Sequence, residues 1–153
     1  MAGLAPELAK HPLFEGLADD HLATVADCAN EARFAVGEPI FHEGEAADRF
    51  YVIRSGRVTV EVFRLDQGPI VVQELASGDL LGWSWLVPPY RWRFDARARE
   101  ETLAFAIDGR SLRAKCDQDP SLGYALLRRI AAAMERRLMG ARQELLKVSA
   151  GVP

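Results

Sequence analysis

The chain has 153 residues, the length of about one domain, so it can bury one core but not two with separate functions. Its hydrophobic and charged fractions, 49% and 27%, are those of a globular protein. A formal charge of −3 argues against a surface built as a whole to hold nucleic acid. The charge is uneven: residues 1–90 carry 6 basic and 14 acidic side chains, whereas residues 91–153 carry 13 and 8. We therefore expect any anionic ligand near the second part of the chain.

No segment predicts a membrane span or a signal peptide. The apolar run Leu80–Tyr90 is too short to cross a bilayer, and the first residues lack a basic stretch followed by an apolar one. We expect a cytoplasmic protein without membrane contact. Cys28 and Cys116 are 88 positions apart, with no neighbour at metal-ligand or redox spacing, so we expect two reduced, buried thiols.

The first part of the chain predicts helices and then many short strands. Apolar residues recur at helical spacing over Asp20–Ala29, and from Arg33 the period changes to two, with glycines at turn spacing. The clearest half-buried strand is Val58–Val62. Further strands are predicted at 34–36, 50–53, 70–72, 94–99 and 102–107. Short strands bounded by glycine turns indicate an antiparallel sandwich or jelly roll.

The last part predicts two helices, a short one at Leu112–Cys116 and a long one opened by Asp119 as N-cap and Pro120 in its first turn. In the long helix, apolar residues follow each other in steps of four and three, which is the pattern of a coiled-coil seam. The seam consists of Leu127, Ala131, Met134, Leu138, Ala141, Leu145 and Val148. It predicts a homodimer through this helix. The alternative is a helix packed on its own sheet. In a parallel pair Arg137 would face Arg142 of the partner, and this contact between like charges favours the alternative.

These elements predict a mainly β protein with flanking helices (α+β). Its centre would be a double-stranded β-helix, or jelly-roll β-roll, followed by the long C-terminal helix. We expect a single domain over residues 1–153. Within it, residues 1–32 form N-terminal helices, residues 33–108 form the roll and residues 109–150 form the C-terminal helices.

The segment 78–98 carries the strongest functional signal, because it holds all three tryptophans and is rich in arginine. Backbone N–H groups at the start of a short turn, with arginines after it, would form a cradle for an anion, and indole rings could stack on a planar group. The candidate ligand-binding residues here are Gly78, Asp79, Leu80, Trp83, Arg91, Trp92, Arg93 and Arg97. The alternative is that the tryptophans plug the sheet and the arginines are a solvated face.

The order of several short motifs resembles the cyclic nucleotide-binding domain of the catabolite-activator (Crp/Fnr) type. They are His11–Leu17, Gly37-Glu38, Phe41–Glu45, Phe50–Val58, Gly78–Leu80, Asp119-Pro120 and Met134–Leu138. Each is weak alone, but their order and spacing are fairly specific for that fold. The resemblance covers nearly the whole chain and implies a β-roll flanked by helices, with a long C-terminal helix that often dimerises.

The same resemblance implies an altered phosphate-binding cassette. It matches Asp79 to a glutamate that holds the ribose hydroxyl, and Trp92 to an arginine that grips the cyclic phosphate. On the long helix it keeps Arg137, a further candidate ligand-binding residue, but places Ala141 where the catabolite activator offers a hydroxyl group. Since an indole ring cannot pair with a phosphate charge, these departures argue against ordinary cyclic AMP binding. A nucleotide such as cyclic AMP or cyclic GMP remains the candidate ligand that the family implies.

Nothing in the sequence predicts catalysis. His11, His21 and His42 are scattered, so no catalytic metal site is expected, and no nucleophile elbow or phosphate-binding loop occurs. We expect a non-enzymatic regulatory module that senses a ligand. The alternative is a small accessory or docking subunit of a larger complex, such as a redox enzyme that uses nicotinamide nucleotides. Since few residues follow the long helix, we expect no DNA binding in cis.

Overall fold

The computed structural model describes residues 3–151, so the outermost residues of the predicted domain, 1–2 and 152–153, lie outside it. Eight strands form the centre: β1 Ala29–Phe34, β2 Pro39–Phe41, β3 Arg49–Ser55, β4 Arg57–Arg64, β5 Gly68–Ala76, β6 Leu80–Leu81, β7 Asp95–Ala98 and β8 Thr102–Asp108. Four α-helices flank them: α1 Ala5–Leu8, α2 Asp19–Asp27, α3 Gly109–Gln118 and α4 Pro120–Ser149. Two 3₁₀ turns are at Pro12–Phe14 and Ser84–Leu86.

The strands form two antiparallel sheets that face each other as a β-roll. One sheet has the order β1-β8-β3-β6 and the other the order β2-β7-β4-β5. An apolar cluster fills the space between the sheets, and a second one lies between the first sheet and the helices. The predicted mainly β fold, a roll with flanking helices and a long C-terminal helix, is confirmed.

Strand β3 is buried on both faces because it lies between the two clusters. Phe50 and Val52 face the helices, whereas Tyr51 and Ile53 face the interior of the roll. This explains why the sequence shows an unbroken apolar run here instead of the alternation typical of a half-exposed strand.

The first strand begins earlier than its periodicity suggests. The sequence predicts a helix through Ala29, but α2 ends at Asp27 and β1 begins at Ala29. The six residues of β1 pair in register with β8, from Ala29 opposite Ile107 to Phe34 opposite Thr102. Long-range pairing has overridden the local helical pattern.

Both C-terminal helices begin at an aspartate cap. Asp119 is the predicted cap of α4, whereas α3 begins at Gly109, three residues before the predicted Leu112, with Asp108 as its cap. The Asp108 carboxylate accepts a hydrogen bond from the Ser111 N–H at 3.0 Å, and the Asp119 carboxylate accepts one from the Ser121 N–H at 3.1 Å. Both contacts satisfy N–H groups that the first turn of a helix leaves free. None of the helices within residues 3–151 is long and apolar enough to span a membrane.

Helix α4 changes its environment along its length. Its first half packs on the helical core through four residues, Leu122, Leu126, Ile130 and Ala133. Its second half leaves the body, so that Leu138, Leu145 and Val148 are 60%, 65% and 73% exposed. The predicted seam is therefore largely an apolar stripe open to solvent, although Met134 is half-buried against the core.

Candidate functional site

The tryptophan-rich segment is anchored in both apolar clusters. Trp85, in the 3₁₀ turn, is fully buried in the helical core, where its ring stacks on Phe50 at 4.5 Å. Trp92 is buried in the interior of the roll, with 4% of its surface exposed. Two large side chains thus fix this segment between the roll and the helices.

Trp92 fills space that would otherwise be open inside the roll. Its ring stacks on Phe41 with 3.7 Å between centroids and 5° between planes. It also lies so close to Gly82 that a Cβ atom there would be 2.6 Å from the indole. Gly82 has φ +101°, a backbone conformation that favours glycine. Both this conformation and the nearby indole ring therefore disfavour any larger residue at position 82.

Helix α3 holds the same segment from outside. The Arg113 guanidinium donates to the carbonyl oxygen of Trp85 and stacks 3.9 Å from the Tyr90 ring. Tyr90 has φ +58°, which is unusual for a bulky residue, so local contacts must hold it there. The segment between Trp83 and Trp92 is thereby linked to the C-terminal helices.

Two of the predicted arginines of this segment hydrogen-bond to turns of the roll. Arg91 donates to the Gly44 carbonyl at 2.9 Å, and Arg97 donates to the Gly37 carbonyl at the same distance. Arg97 also lies 3.8 Å from the buried carboxylate of Glu61. Arg93 is exposed. Two of the three arginines therefore tie turns of the roll together.

A separate open cleft lies between β5 and helix α4. Its volume is about 500 Å³, within the range of small-molecule sites. The floor and walls come from the β5 region, from the turn after it, from the first 3₁₀ turn and from the outer half of α4. The lining residues are Leu13, Val72, Gln73, Glu74, Leu75, Gly78, Asp79, Leu80, Ala133, Arg136, Arg137, Gly140, Ala141 and Glu144.

Asp79 and Arg137 face each other across this cleft. Asp79 also caps its own turn, since its carboxylate accepts a hydrogen bond from the Ala76 N–H at 2.8 Å. Burial lowers the pKa of Arg137, and the negative charge of Asp79 opposes that shift. The guanidinium is half-buried, so it is a group that would gain from a partner in the cleft.

His11 supports the turn that carries Asp79. Its Nε2 donates to the Ile53 carbonyl at 3.1 Å when its Nδ1 accepts from the Leu13 N–H at 3.2 Å, which fixes a neutral tautomer. Burial lowers the pKa of His11, while the bond to Ile53 and the charge of Asp79 raise it. Pro12 lies next to Gly78, so this histidine connects the cleft with the N-terminal 3₁₀ turn.

The structure brings together only part of the predicted site. Gly78, Asp79, Leu80 and Arg137 line the cleft, whereas the other predicted residues do not. Trp92 lies inside the roll, and Trp83 is half-buried before the second 3₁₀ turn. That turn begins at Ser84, six residues after Gly78. The backbone of Gly78–Leu80, which was predicted as the anion cradle, is therefore not at the start of this turn.

Several cleft residues were missed from the sequence. Gly140 and Glu144 follow Arg137 at steps of three and seven, so helical spacing could have placed them on the same face. Ala141, which the resemblance matches to a hydroxyl-bearing position, also lines the cleft. Glu74 carries no comparable signal, because its position depends on how β5 lies against a helix 60 residues later in the chain.

The roll and helix α3 correspond to a known domain. A sequence model of the cyclic nucleotide-binding domain matches residues 31–119. The chain belongs to the cyclic nucleotide-binding domain family. Helix α4, which begins at Pro120, lies beyond the matched residues although it forms one wall of the cleft.

Similar proteins include regulators and free domains of this family. A CRP-like cAMP-activated global transcriptional regulator of Mycobacterium tuberculosis is 26% identical over 84% of this chain, which spans 58% of that protein. A putative cyclic nucleotide-binding protein of Geobacter metallireducens is 28% identical, with a TM-score of 0.80 over 88% of this chain and 97% of that one. The regulatory subunit of a cAMP-independent protein kinase A from Trypanosoma cruzi, bound to guanosine, is 26% identical. Its TM-score is 0.62 over 78% of this chain and 47% of that one.

Proposed function

We propose that this chain is a non-enzymatic regulatory module that senses a ligand without the phosphate contact expected of its family. Ligand binding would shift the outer half of helix α4 and so change what the module presents to a partner. This requires a ligand that binds two arrangements of the helix with different affinity.

The buried Trp92 ring is the observation that supports this proposal most directly. The sequence resemblance expects a phosphate-binding arginine at this position, and an indole N–H cannot neutralise a phosphate. The ring stacks on Phe41 and covers Gly82, so a phosphate would have to displace it from the apolar interior. Burying an unpaired phosphate there would cost several kcal/mol.

Titration with cyclic AMP and cyclic GMP tests the proposal. We expect neither to change the tryptophan fluorescence or the melting temperature at concentrations of about 1 mM, which corresponds to a binding free energy weaker than about −4 kcal/mol. NADH and NADPH belong in the same series, because the accessory-subunit alternative names a nicotinamide nucleotide enzyme. Saturable binding of cyclic AMP, with no binding of adenosine, would overturn the proposal.

We also propose that the module is a homodimer through the outer half of α4. An exposed apolar stripe with three-four spacing is the pattern that a second helix covers. Sedimentation of Leu138→Asp should show a monomer where the wild type is a dimer. The matched control is Leu146→Asp, since Leu146 is 62% exposed on the same helix but lies outside the seam. A monomeric wild type, or equal effects of both variants, would contradict the dimer.

The second candidate function is an accessory or docking subunit. The observation in its favour is the tip of the β4–β5 hairpin, where Phe63 and Leu65 are 57% and 97% exposed. Apolar tips of this kind are typical of protein contacts. If the chain docks through this tip, a Leu65→Ser variant should lose a co-purifying protein that the Leu138→Asp variant retains.

A further inference from the structure

The tip of the β4–β5 hairpin holds a large apolar side chain almost fully in solvent. Leu65 is 97% exposed, and Phe63, two residues before it, is 57% exposed. Arg64 and Asp66 stand on either side of Leu65, and their side chains pair with each other at 3.5 Å. We call residues 63–66 the knob. Apolar surface at such a tip gains free energy when a partner covers it.

An apolar pocket opens where helices α3 and α4 meet, and we call it the elbow pocket. Its volume is about 240 Å³, whereas a cavity of about 150 Å³ already accepts a benzene molecule, so it has room for one leucine side chain. Leu86, Cys116 and Gly123 line it and are half-buried. Tyr124 and Leu127 also line it and are 65% and 56% exposed. None of these five residues lines the cleft beside β5.

Charged groups around the elbow pocket complement those of the knob. Asp117 lines the pocket and is exposed, and the Arg128 guanidinium lies 5.5 Å from the centre of the Tyr124 ring. The knob presents one cation and one anion beside an apolar tip, and the pocket presents one anion and one cation beside an apolar hole. Opposite charges arranged in this way favour one docking orientation more than they add affinity.

We propose that the knob of one copy of this chain docks in the elbow pocket of a second copy. Leu65 would enter the pocket, with Arg64 facing Asp117 and Asp66 facing Arg128. The contact is between copies, because Leu65 is exposed within its own copy. Since the knob and the pocket are different surfaces, the contact is head-to-tail and builds a chain or a ring. This inference rests on the second candidate function, because it names the partner of the hairpin tip.

Sedimentation equilibrium of the full chain tests the contact in a Leu138→Asp background, which removes the proposed helix dimer. One knob buries less surface than the roughly 1,200 Å² of a stable interface, so we expect association only at about 0.1–1 mM. Leu65→Ser and Tyr124→Glu should each weaken it by about tenfold or more. The matched controls are Val36→Ser and Leu146→Glu, which alter side chains that are 71% and 62% exposed elsewhere and should leave the association unchanged.

A mixture of the two variants separates a head-to-tail contact from a symmetric one. Leu65→Ser keeps an intact pocket and Tyr124→Glu keeps an intact knob. An equimolar mixture should therefore form pairs, although neither variant associates alone. The charges are tested in the same way, since Arg64→Asp should weaken the association and Asp117→Arg in the same chain should restore it.

Three results would overturn the inference: a chain that stays monomeric at about 1 mM in this background, a variant with no more effect than its control, or a mixture that does not pair. If Leu65→Ser loses a co-purifying protein while the chain shows no self-association, the inference is wrong but the second candidate function survives with a different partner. The melting temperatures of Leu65→Ser and Tyr124→Glu should equal that of the background chain, so that lost association is not lost folding.

Discussion

The interior of the roll and the cleft beside it are neighbouring spaces with opposite chemistry. The interior is packed with apolar and aromatic side chains, with Phe41 and Trp92 in face-to-face contact. The cleft is open, holds about 500 Å³ and is lined by charged side chains. This member of the family therefore retains the fold while the space inside the roll is filled by side-chain packing. A cleft that is open to a ligand lies against helix α4.

The largest effect should come from removing the ring that closes the interior. We expect Trp92→Ala to lower the free energy of unfolding by about 3–5 kcal/mol, because it leaves a large cavity next to Phe41. Urea unfolding measures the change. Trp83→Ala is the control, since Trp83 is half-buried and should cost clearly less. Equal costs would mean that the interior is not held by Trp92.

A second, smaller effect should follow from the histidine under the cleft. Burial lowers the pKa of His11, so the unfolded chain binds its proton more readily than the folded one. The contribution of His11 to stability is therefore complete above its ordinary pKa of 6.5 and is lost as the pH falls below that value.

Urea unfolding of the wild type and of His11→Gln between pH 8 and pH 5 measures this contribution. The difference in unfolding free energy between them should shrink as the pH falls, because the histidine becomes charged beside the Leu13 N–H. A difference independent of pH would show that the ring is not buried as a neutral group.

A gain of stability is expected at the wall of the cleft. Since a glycine inside a helix is less favourable than alanine, Gly140→Ala should raise the free energy of unfolding by up to about 1 kcal/mol. The structure leaves room for the methyl group. Thermal unfolding measures the gain, and a loss of stability instead would show that another group occupies this space.

The smallest effect should come from the exposed arginine of the cleft. Arg136→Ala removes a solvated side chain, so its cost should stay within about 0.5 kcal/mol. Thermal unfolding of the variant beside the wild type measures this cost. A clearly larger loss of stability would show that Arg136 makes a stabilising contact with the rest of the chain.

The sequence predicts the fold better than the site because fold signals are local. Glycine turns and the cap Asp119 each depend on a few neighbouring residues, and the structure contains them. The predicted strand Val58–Val62 lies within β4, but it is not half-buried, because Thr59 and Glu61 are buried as well and Val62 is exposed. Glu61 is buried there with partners from other segments of the roll, since it lies 3.8 Å from Arg97. The start of β1 at Ala29 is a further exception, since it depends on pairing with β8.

The site depends on contacts between distant segments, which spacing does not encode. Asp79 and Arg137 are 58 positions apart, and only the path of α4 past β5 brings them to one cleft. The density of tryptophan and arginine in segment 78–98 has two different causes: the indoles of Trp85 and Trp92 fill two cores, and Arg91 and Arg97 bind turns of the roll. The sequence does not show these different surroundings, because they depend on contacts with distant segments.

Helix α4 is buried against the helical core as far as Ala133 and is mostly exposed beyond it. The exposed part can therefore amplify a small tilt of the helix. The 16 residues from Met134 to Ser149 extend about 24 Å beyond Ala133. A tilt of about 10° near Ala133 would move the far end by roughly 4 Å, about three-quarters of the rise of one helical turn. A ligand in the cleft that shifts the adjacent part of α4 by a small distance would therefore cause a larger displacement at the C-terminal end of the helix. A partner that binds this end would respond to that displacement.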